Sequence, residues 1–477
     1  MTPRLRLIAL IVSCALMLNM IDATVLGTAL PAISRDFGVS AVSMHMTMSV
    51  YLLMLAVFIP MSGWIADRFG TKPVFIAALL FFMASSIACG LSDSLTQLLV
   101  ARAFQGMAGA MTLPVARLVL LRSSPRHAMV QAMVWVSVPA LVGPVLGPPL
   151  GGFLVTYASW HWIFWINIPI GLIGVVMALL FFENFKAEDP RPFDWAGFFI
   201  LGVGAVALVL GIEAILQRGP VAPLSLSLLG TAVVAFTGYV FYARRVPTPI
   251  LDLTLLRIPV FRASVVGGTL FRFGNGAYPF LMPLMLQEGF GKTPLASGLI
   301  VLAAALGALS MKMFAARLLS RFGFRTVLIW NTVVVSATMA IVALFRQDTA
   351  PALMFFLLYL GGFFRSLQFT AINSVGYSEL DDDQMSRATS FSAMAQQLSI
   401  TMGVGIGAML LHLFQSVRGA DTVTATDFSL SFAAISIIML AAILEFARLS
   451  PQAGAEASRH EATTVGHAAR PPSDGRN

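Results

Sequence analysis

GWIADRFGTK, from Gly63 to Lys72, stands where one long apolar run ends and the next begins, and a weaker copy, AARLLSRFGFR, occupies Ala315 to Arg325. Both are short basic turns between hydrophobic segments. Superposed, Arg68 falls on Arg321, Phe69 on Phe322, Gly70 on Gly323 and Lys72 on Arg325, a period of roughly 250 residues and far beyond a solenoid unit. The chain reads as one bundle written twice.

Composition fixes the solvent. Of 477 residues, 58% are hydrophobic and 11% charged, against about 25% charged in a soluble globule. Such a chain belongs in a bilayer. The net charge of +8 does not point to nucleic acid, because the basic residues are scattered over short loops instead of gathered on one face. Cys14 and Cys89 both lie inside apolar runs, so there is no disulfide framework and no metal ligand set, and no motif requires a cofactor.

About fourteen runs are long enough to cross roughly 30 Å of hydrocarbon as helix. They span residues 7–30, 46–65, 74–91, 95–116, 130–156, 162–182, 195–216, 224–242, 260–286, 296–315, 327–344, 352–373, 391–414 and 428–446. None alternates every second residue as a barrel strand does. The first run is too long for a signal-peptide core and lacks a small-residue cleavage site, so a retained span is expected. Arg4, Arg6, Arg68, Lys72, Arg122, Arg126, Lys186, Arg191, Arg244, Arg245, Arg257, Arg321, Arg325 and Arg387 fall on the side that holds both termini, and fewer basic residues fall opposite. The excess of Lys and Arg on cytoplasmic loops puts both termini inside.

The expected organisation is a six-helix bundle over residues 1–184, a linker with two additional helices over 185–255, a second six-helix bundle over 256–449 and a disordered polar tail over 450–477. The chain resembles the major facilitator superfamily, and within it the 14-helix drug:proton antiporters. The resemblance rests on five stretches in order. MIDATVLGTALP, Met20 to Pro31, is similar to a first-helix signature, GWIADRFGTK to the loop signature and LLVARAFQGMAGA, Leu98 to Ala110, to the fourth-helix signature. GPVLGPPLGG, Gly143 to Gly152, is similar to the fifth-helix antiporter signature, and SWHWIFWINIPIG, Ser159 to Gly171, to the turn into the sixth helix. The match is dense in the first half and thin in the second. It implies an all-α membrane fold of two pseudo-symmetric bundles with an extra pair between them, and a multidrug-efflux type of transporter in a bacterial cytoplasmic membrane, working as a monomer on small molecules and protons.

Asp22 lies about 12 Å inside the outer end of the first span at 1.5 Å per residue, and Arg102 lies at similar depth in the fourth. Ionised groups at that depth are paired or face a watery cavity. Alternation of Asp22 between a buried setting and the neighbourhood of Arg102 would carry a proton across; a fixed ion pair that only holds helices together is the other reading. The resemblance favours proton coupling. In the loop, Gly63 and Gly70 suit a close turn, Arg68 and Lys72 set sidedness, and the resemblance makes Asp67 a cytoplasmic latch; Arg117, at the inner end of the fourth span, is its expected partner. Ser320 replaces that acid in the second copy.

Gly143 to Gly152 is hostile to helix, with Pro144 and Pro148 among its prolines. Gly143, Gly147 and Gly151 make one small-residue face at four-residue spacing, with Gly152 beside it. Tight packing follows from the spacing, and the antiporter hinge from the resemblance. For cargo, Arg272 with Asn275, and Arg365 with Gln368, are pairs three apart near mid-span, and Asn373 and Gln396 add amides. Two buried arginines favour an organic anion or carboxylate over the cations that acid-rich relatives expel. Export of amphiphilic small molecules in exchange for protons is the leading expectation, and export of an organic anion the alternative. Enzyme motifs are missing. GFGKT, Gly289 to Thr293, only imitates the end of a phosphate loop, because Leu286 occupies the opening glycine position.

Overall fold

The computed structural model describes residues 3–123, 129–188, 192–419 and 422–455, which form helices and turns without strands. The passes are α1 (Pro3–Asp36), α2 (His45–Phe69), α3 (Thr71–Gly90), α4 (Leu95–Ser123), α5 (Met129–Tyr157), α6 (Trp162–Phe181), α7 (Trp195–Arg218), α8 (Pro223–Ala243), α9 (Gly268–Leu284), α10 (Pro294–Met311), α11 (Phe324–Val342), α12 (Pro351–Gly376), α13 (Asp382–Val417) and α14 (Ala425–Phe446). Among the described residues, 12 helices are by themselves long and apolar enough to cross a membrane. The other two passes are the proline-rich α5, and α9, which is flanked by π-helical turns at Ala263–Gly267 and Met285–Gly289. Helices prevail because hydrocarbon offers backbone groups no outside partner.

Packing repeats between the halves. Helix α1 packs on α5 and α6, α2 on α4, and α3 on α4 and α6; in the same register α9 packs on α13 and α14, α10 on α12, and α11 on α12 and α14. Between halves, α2 meets α13 as α10 meets α5, while α1 meets its counterpart α9. These are two six-helix bundles about a pseudo-twofold axis. The turns that announced the repeat match too. Gly70 (φ 96°) and Gly323 (φ 73°) each end a helix in a conformation only glycine adopts freely, with their N–H groups donating to Ala66 and Leu319 carbonyls.

Apolar packing joins the halves on the side away from the chain termini, called the far side below. One core there runs from Ile21 and Leu30 of α1 into Phe280 and Leu284 of α9, and Gln287 donates to the Thr28 carbonyl at 3.0 Å. On the terminal side the first half keeps its own core, from Ile8 to Phe182. The extra pair is attached through α7, which rests on α2 and α13, and α8 packs on α7. Asp194 caps α7 by accepting from Gly197 N–H and also accepts from the Tyr242 hydroxyl and Ile250 N–H, so one carboxylate fastens both extra helices to the linker. An apolar groove of about 420 Å³ runs between α2, α7 and α8 past Met54, Val57 and Leu210.

The expected tail is corrected at its start. Ala453 is buried, Gly454 N–H donates to Glu379, and Gly454 sits against the Phe324 ring, so the first residues after Ser450 pack on the bundle. Polar composition hid two small residues that fit against an aromatic ring. Residues 456–477, with Arg126 and Arg191, lie outside the described residues.

Candidate functional site

Asp22 and Arg102 meet in the middle of the first half. Arg102 Nη1 donates to Asp22 Oδ2 at 2.6 Å, and the two residues are 1% and 2% exposed. Asp22 Oδ1 accepts from Gln105 Nε2 at 2.9 Å and from Asn167 Nδ2 at 3.0 Å. Both amides also donate to Ser86. Arg102 is held further by Gln105 Oε1, by the Thr47 carbonyl on α2 and by the Tyr51 ring, 4.2 Å below its guanidinium carbon. Five helices thus meet in one polar network, and two of them, α4 and α6, bond directly to the carboxylate of α1. Three N–H donors occupy three of the roughly four lone-pair sites of the carboxylate, and none of them can accept from the O–H of a protonated Asp22. Gln105, Asn167, Ser86, Thr47 and Tyr51 were not singled out from sequence, although Gln105 and Asn167 fall inside two of the signatures.

The loop signature is docked by the segment after α6. Gly70 lies against the Asn184 amide, Thr71 N–H donates to the Phe185 carbonyl, Ala187 N–H donates to the Asp67 carbonyl, and Lys72 Nζ donates to the Leu179 carbonyl at the end of α6. The second copy repeats the last contact, as Arg325 Nη2 donates to the Ala447 carbonyl after α14. Two expectations are corrected here. Asp67 pairs with Arg122, at 2.9 Å, and not with Arg117. Arg122 lies in the last turn of α4, level with Asp67, while Arg117 sits more than a turn deeper and within electrostatic reach of Tyr377 in the second half. Gly63 is inside α2 with open space beside it and makes no turn. Arg68 lies over the Trp64 ring. Gly70→Ala should lower stability by about 1–3 kcal/mol, from positive φ and overlap with Asn184, and Asn184→Gly should recover part of it in thermal unfolding of the double variant.

The glycine ridge of α5 faces α1. A side chain at Gly143 would strike Met20, at Gly147 the Thr24 hydroxyl, and at Gly151 Thr28. Gly152 looks the other way, onto the Pro294 carbonyl of α10, and Gly298 of α10 lies on the Pro148 carbonyl. Pro144 is half-buried within the same uninterrupted helix. Helix α13 carries the counterpart ridge, with Gly403 on the Phe273 carbonyl and Gly407 on Ala277.

In the second half, Arg272 is buried, donates to Asn373 Oδ1 at 3.0 Å and to the Ser264 carbonyl, and leaves its Nε without a partner. Arg365 lies 3.7 Å above the Tyr278 ring, which sequence reasoning missed. Asn275 and Gln396 are half-buried. Gln368 is corrected: it is fully buried between α11 and α12, where it accepts from Asn331 and donates to Thr332 and the Leu328 carbonyl. Three residues along a helix turn a side chain by about 60°, which parts it from Arg365. Among the described residues, no carboxylate pairs with Arg272, Arg365, Lys312 or Arg117, and no His, Cys, Asp and Glu cluster suits a metal.

The model of the Major Facilitator Superfamily matches residues 12–269 and 264–472, nearly the whole chain and in two pieces. The chain belongs to the major facilitator superfamily. Its superfamily relatives include MdtD of Escherichia coli (strain K12) and of Shigella boydii serotype 18, each named as a multidrug resistance protein. Each is 37% identical over 446 residues, covering 92% of this chain and 93% of the relative. Among solved structures, an auto-inhibited POT family peptide transporter aligns with a TM-score of 0.69 at 13% identity, covering 98% of this chain and 99% of that one. The human organic anion transporter MFSD10 aligns with a TM-score of 0.60 at 14% identity, covering 94% and 100%. At such identities the structures speak for the fold alone. This superfamily member is a multi-pass membrane transporter of small molecules and not an enzyme.

Proposed function

We propose that the protein exports amphiphilic small molecules across a bacterial cytoplasmic membrane in exchange for protons, with both termini in the cytoplasm. The observation that carries this reading is the buried Asp22–Arg102–Gln105–Asn167 network, in which a proton on the carboxylate removes the charge that Arg102 meets and adds an O–H that none of the three donors can accept. The glycine ridge of α5 supplies the surface on which α1 slides, and the Gly152–Pro294 contact belongs to the far-side seal that opens for release. The name of MdtD supports a drug-like cargo. The sidedness of the basic loops supports cytoplasmic termini. The test is substrate-induced proton release from purified protein, followed by flux in proteoliposomes under an imposed pH gradient. Compounds that elicit no proton release in a broad screen, while crossing the same vesicles down their own gradient, would leave a uniporter.

A second reading, export of an organic anion, is favoured by Arg272 and Arg365, neither met by a carboxylate among the described residues. A carboxylate cargo would supply the missing charge. Arg365→Ala should then raise the KM for organic acids by about tenfold to a hundredfold, the worth of one charge-assisted hydrogen bond, and leave lipophilic cations unaffected. Saturable, proton-linked flux of cations alone would discard the anionic reading and keep the exchanger.

A further inference from the structure

The extra helix pair carries a carboxylate that the mechanism above does not use. Glu213 of α7 reaches His45, the first residue of α2, with its Oε2 3.1 Å from His45 Nε2. Their side chains are 13% and 3% exposed. The other ring nitrogen, Nδ1, is 2.8 Å from the Val42 carbonyl. A carbonyl only accepts, so Nδ1 must carry a hydrogen. A neutral ring would then point a bare Nε2 lone pair at a carboxylate oxygen, two acceptors facing each other with little water between them. The pair stands at ion-pair distance, and Oε2 has no hydrogen-bond partner; the contact is favourable when a proton sits on the imidazole or on the carboxyl.

We propose that His45 and Glu213 form a second proton-binding site, which fastens the extra helix pair to α2 while the far side is sealed. The neighbours fit this assignment. Gln217 donates to Glu213 Oε1 at 2.6 Å and fixes the carboxyl, and the Phe280 ring of α9 stands edge-on to the imidazole, 6.0 Å between centroids. Of the charged groups around the pair, α4 brings Arg102, whose charge Asp22 meets. Helix α13 brings the exposed His412 and, at its end, Arg418, which is paired with Asp427. Arg218 on α7 and Glu288 after α9 are exposed. Helices α3 and α8 bring no charged side chain to this level. Loss of the His45–Glu213 proton sets the lone pair against the carboxylate and loosens the far-side end of α7 on α2, while the apolar contacts of Leu53 and Val57 with Phe198 and Val209 hold the rest of the seam. The first turn of α2 also holds Thr47, whose carbonyl accepts from Arg102 Nε at 3.2 Å, so the two sites lie two residues apart on one strut.

The inference does not depend on the role given to Asp22. Its test is nitrogen NMR of the full-length protein labelled in its 6 histidines, with the His45 signals assigned by their loss in His45→Gln and the Glu213 carboxyl followed by carbon labelling. At neutral pH a proton should be found at Nε2 or on the Glu213 carboxyl, and Glu213→Gln should move the His45 shifts while leaving the other histidines in place. A bare Nε2 facing an ionised Glu213, or His45 shifts unmoved by Glu213→Gln, overturns the proposal. In proteoliposomes, a change of one pH unit on the far side should alter wild-type flux by up to about tenfold at a single site, and both His45→Gln and Glu213→Gln should flatten that response. Failure of Asp22→Asn to uncouple transport would strike the reading of Asp22 and leave the His45 spectra as they are.

Discussion

Arg102→Met is expected to cost about 3–5 kcal/mol of stability and to abolish transport, while the double variant Arg102→Met with Asp22→Leu regains most of the stability and none of the proton coupling. The single change deletes a guanidinium that donates to Asp22, Gln105 and the Thr47 carbonyl and stacks on Tyr51. It leaves a carboxylate 2% exposed that keeps the Gln105 and Asn167 amides but has lost its countercharge. Replacing both partners removes the two charges together, and apolar side chains of similar length fill the space. Thermal unfolding in detergent measures the first effect, and substrate flux under a pH gradient the second. A double variant that still exchanges substrate for protons would show that the pair only ties helices together. In that case the coupling site must lie elsewhere, with Glu213 the next acid to test. Asp22→Asn is the milder probe. It preserves the volume but turns an amide towards three donors, so coupled flux should stop with a smaller loss of stability.

The helices were legible because membrane thickness imposes one length on every pass, and the apolar runs of the sequence each became a helix or a π-interrupted helix. The twofold relation was legible from Gly70 and Gly323, since a turn that needs positive φ restricts both copies to the same residue. Asp22 and Arg102 stood out as charges at a depth where charges must be paired. Their companions did not, because spacing along a helix fixes which residues share a face but not how that helix is rotated against its neighbours. Gln368 shows the cost: three residues from Arg365, it belongs to the α11–α12 seam. The Asp67 partner was misjudged by depth, with Arg117 and Arg122 on the same helix and only Arg122 in its last turn. His45 and Glu213 lie on helices whose contact depends on where the extra pair docks, and no local pattern announces that.

Two glycine substitutions on α5 should separate packing from gating. Gly147→Val puts a branched side chain onto Thr24, whose hydroxyl is already committed to the Met20 carbonyl at 2.7 Å. The α1–α5 seam then has to open within one half, at a cost of about 1–3 kcal/mol or more, and Thr24→Gly should restore part of the loss by vacating the space. Gly152→Ala instead pushes against the Pro294 carbonyl and the Leu295 backbone of the other half. Neither is the tip of a flexible side chain, so the halves must part locally while each bundle keeps its own packing. The expected signature is a fold as stable as wild type with a weakened far-side seal. A cysteine placed at the buried Thr28, in a background lacking Cys14 and Cys89, should react faster with an impermeant thiol reagent applied from the far side. Labelling that is no faster in Gly152→Ala, with the fold intact, would mean that the α5–α10 contact does not hold the seal and that the Gln287–Thr28 bond and the α1–α9 packing carry it alone.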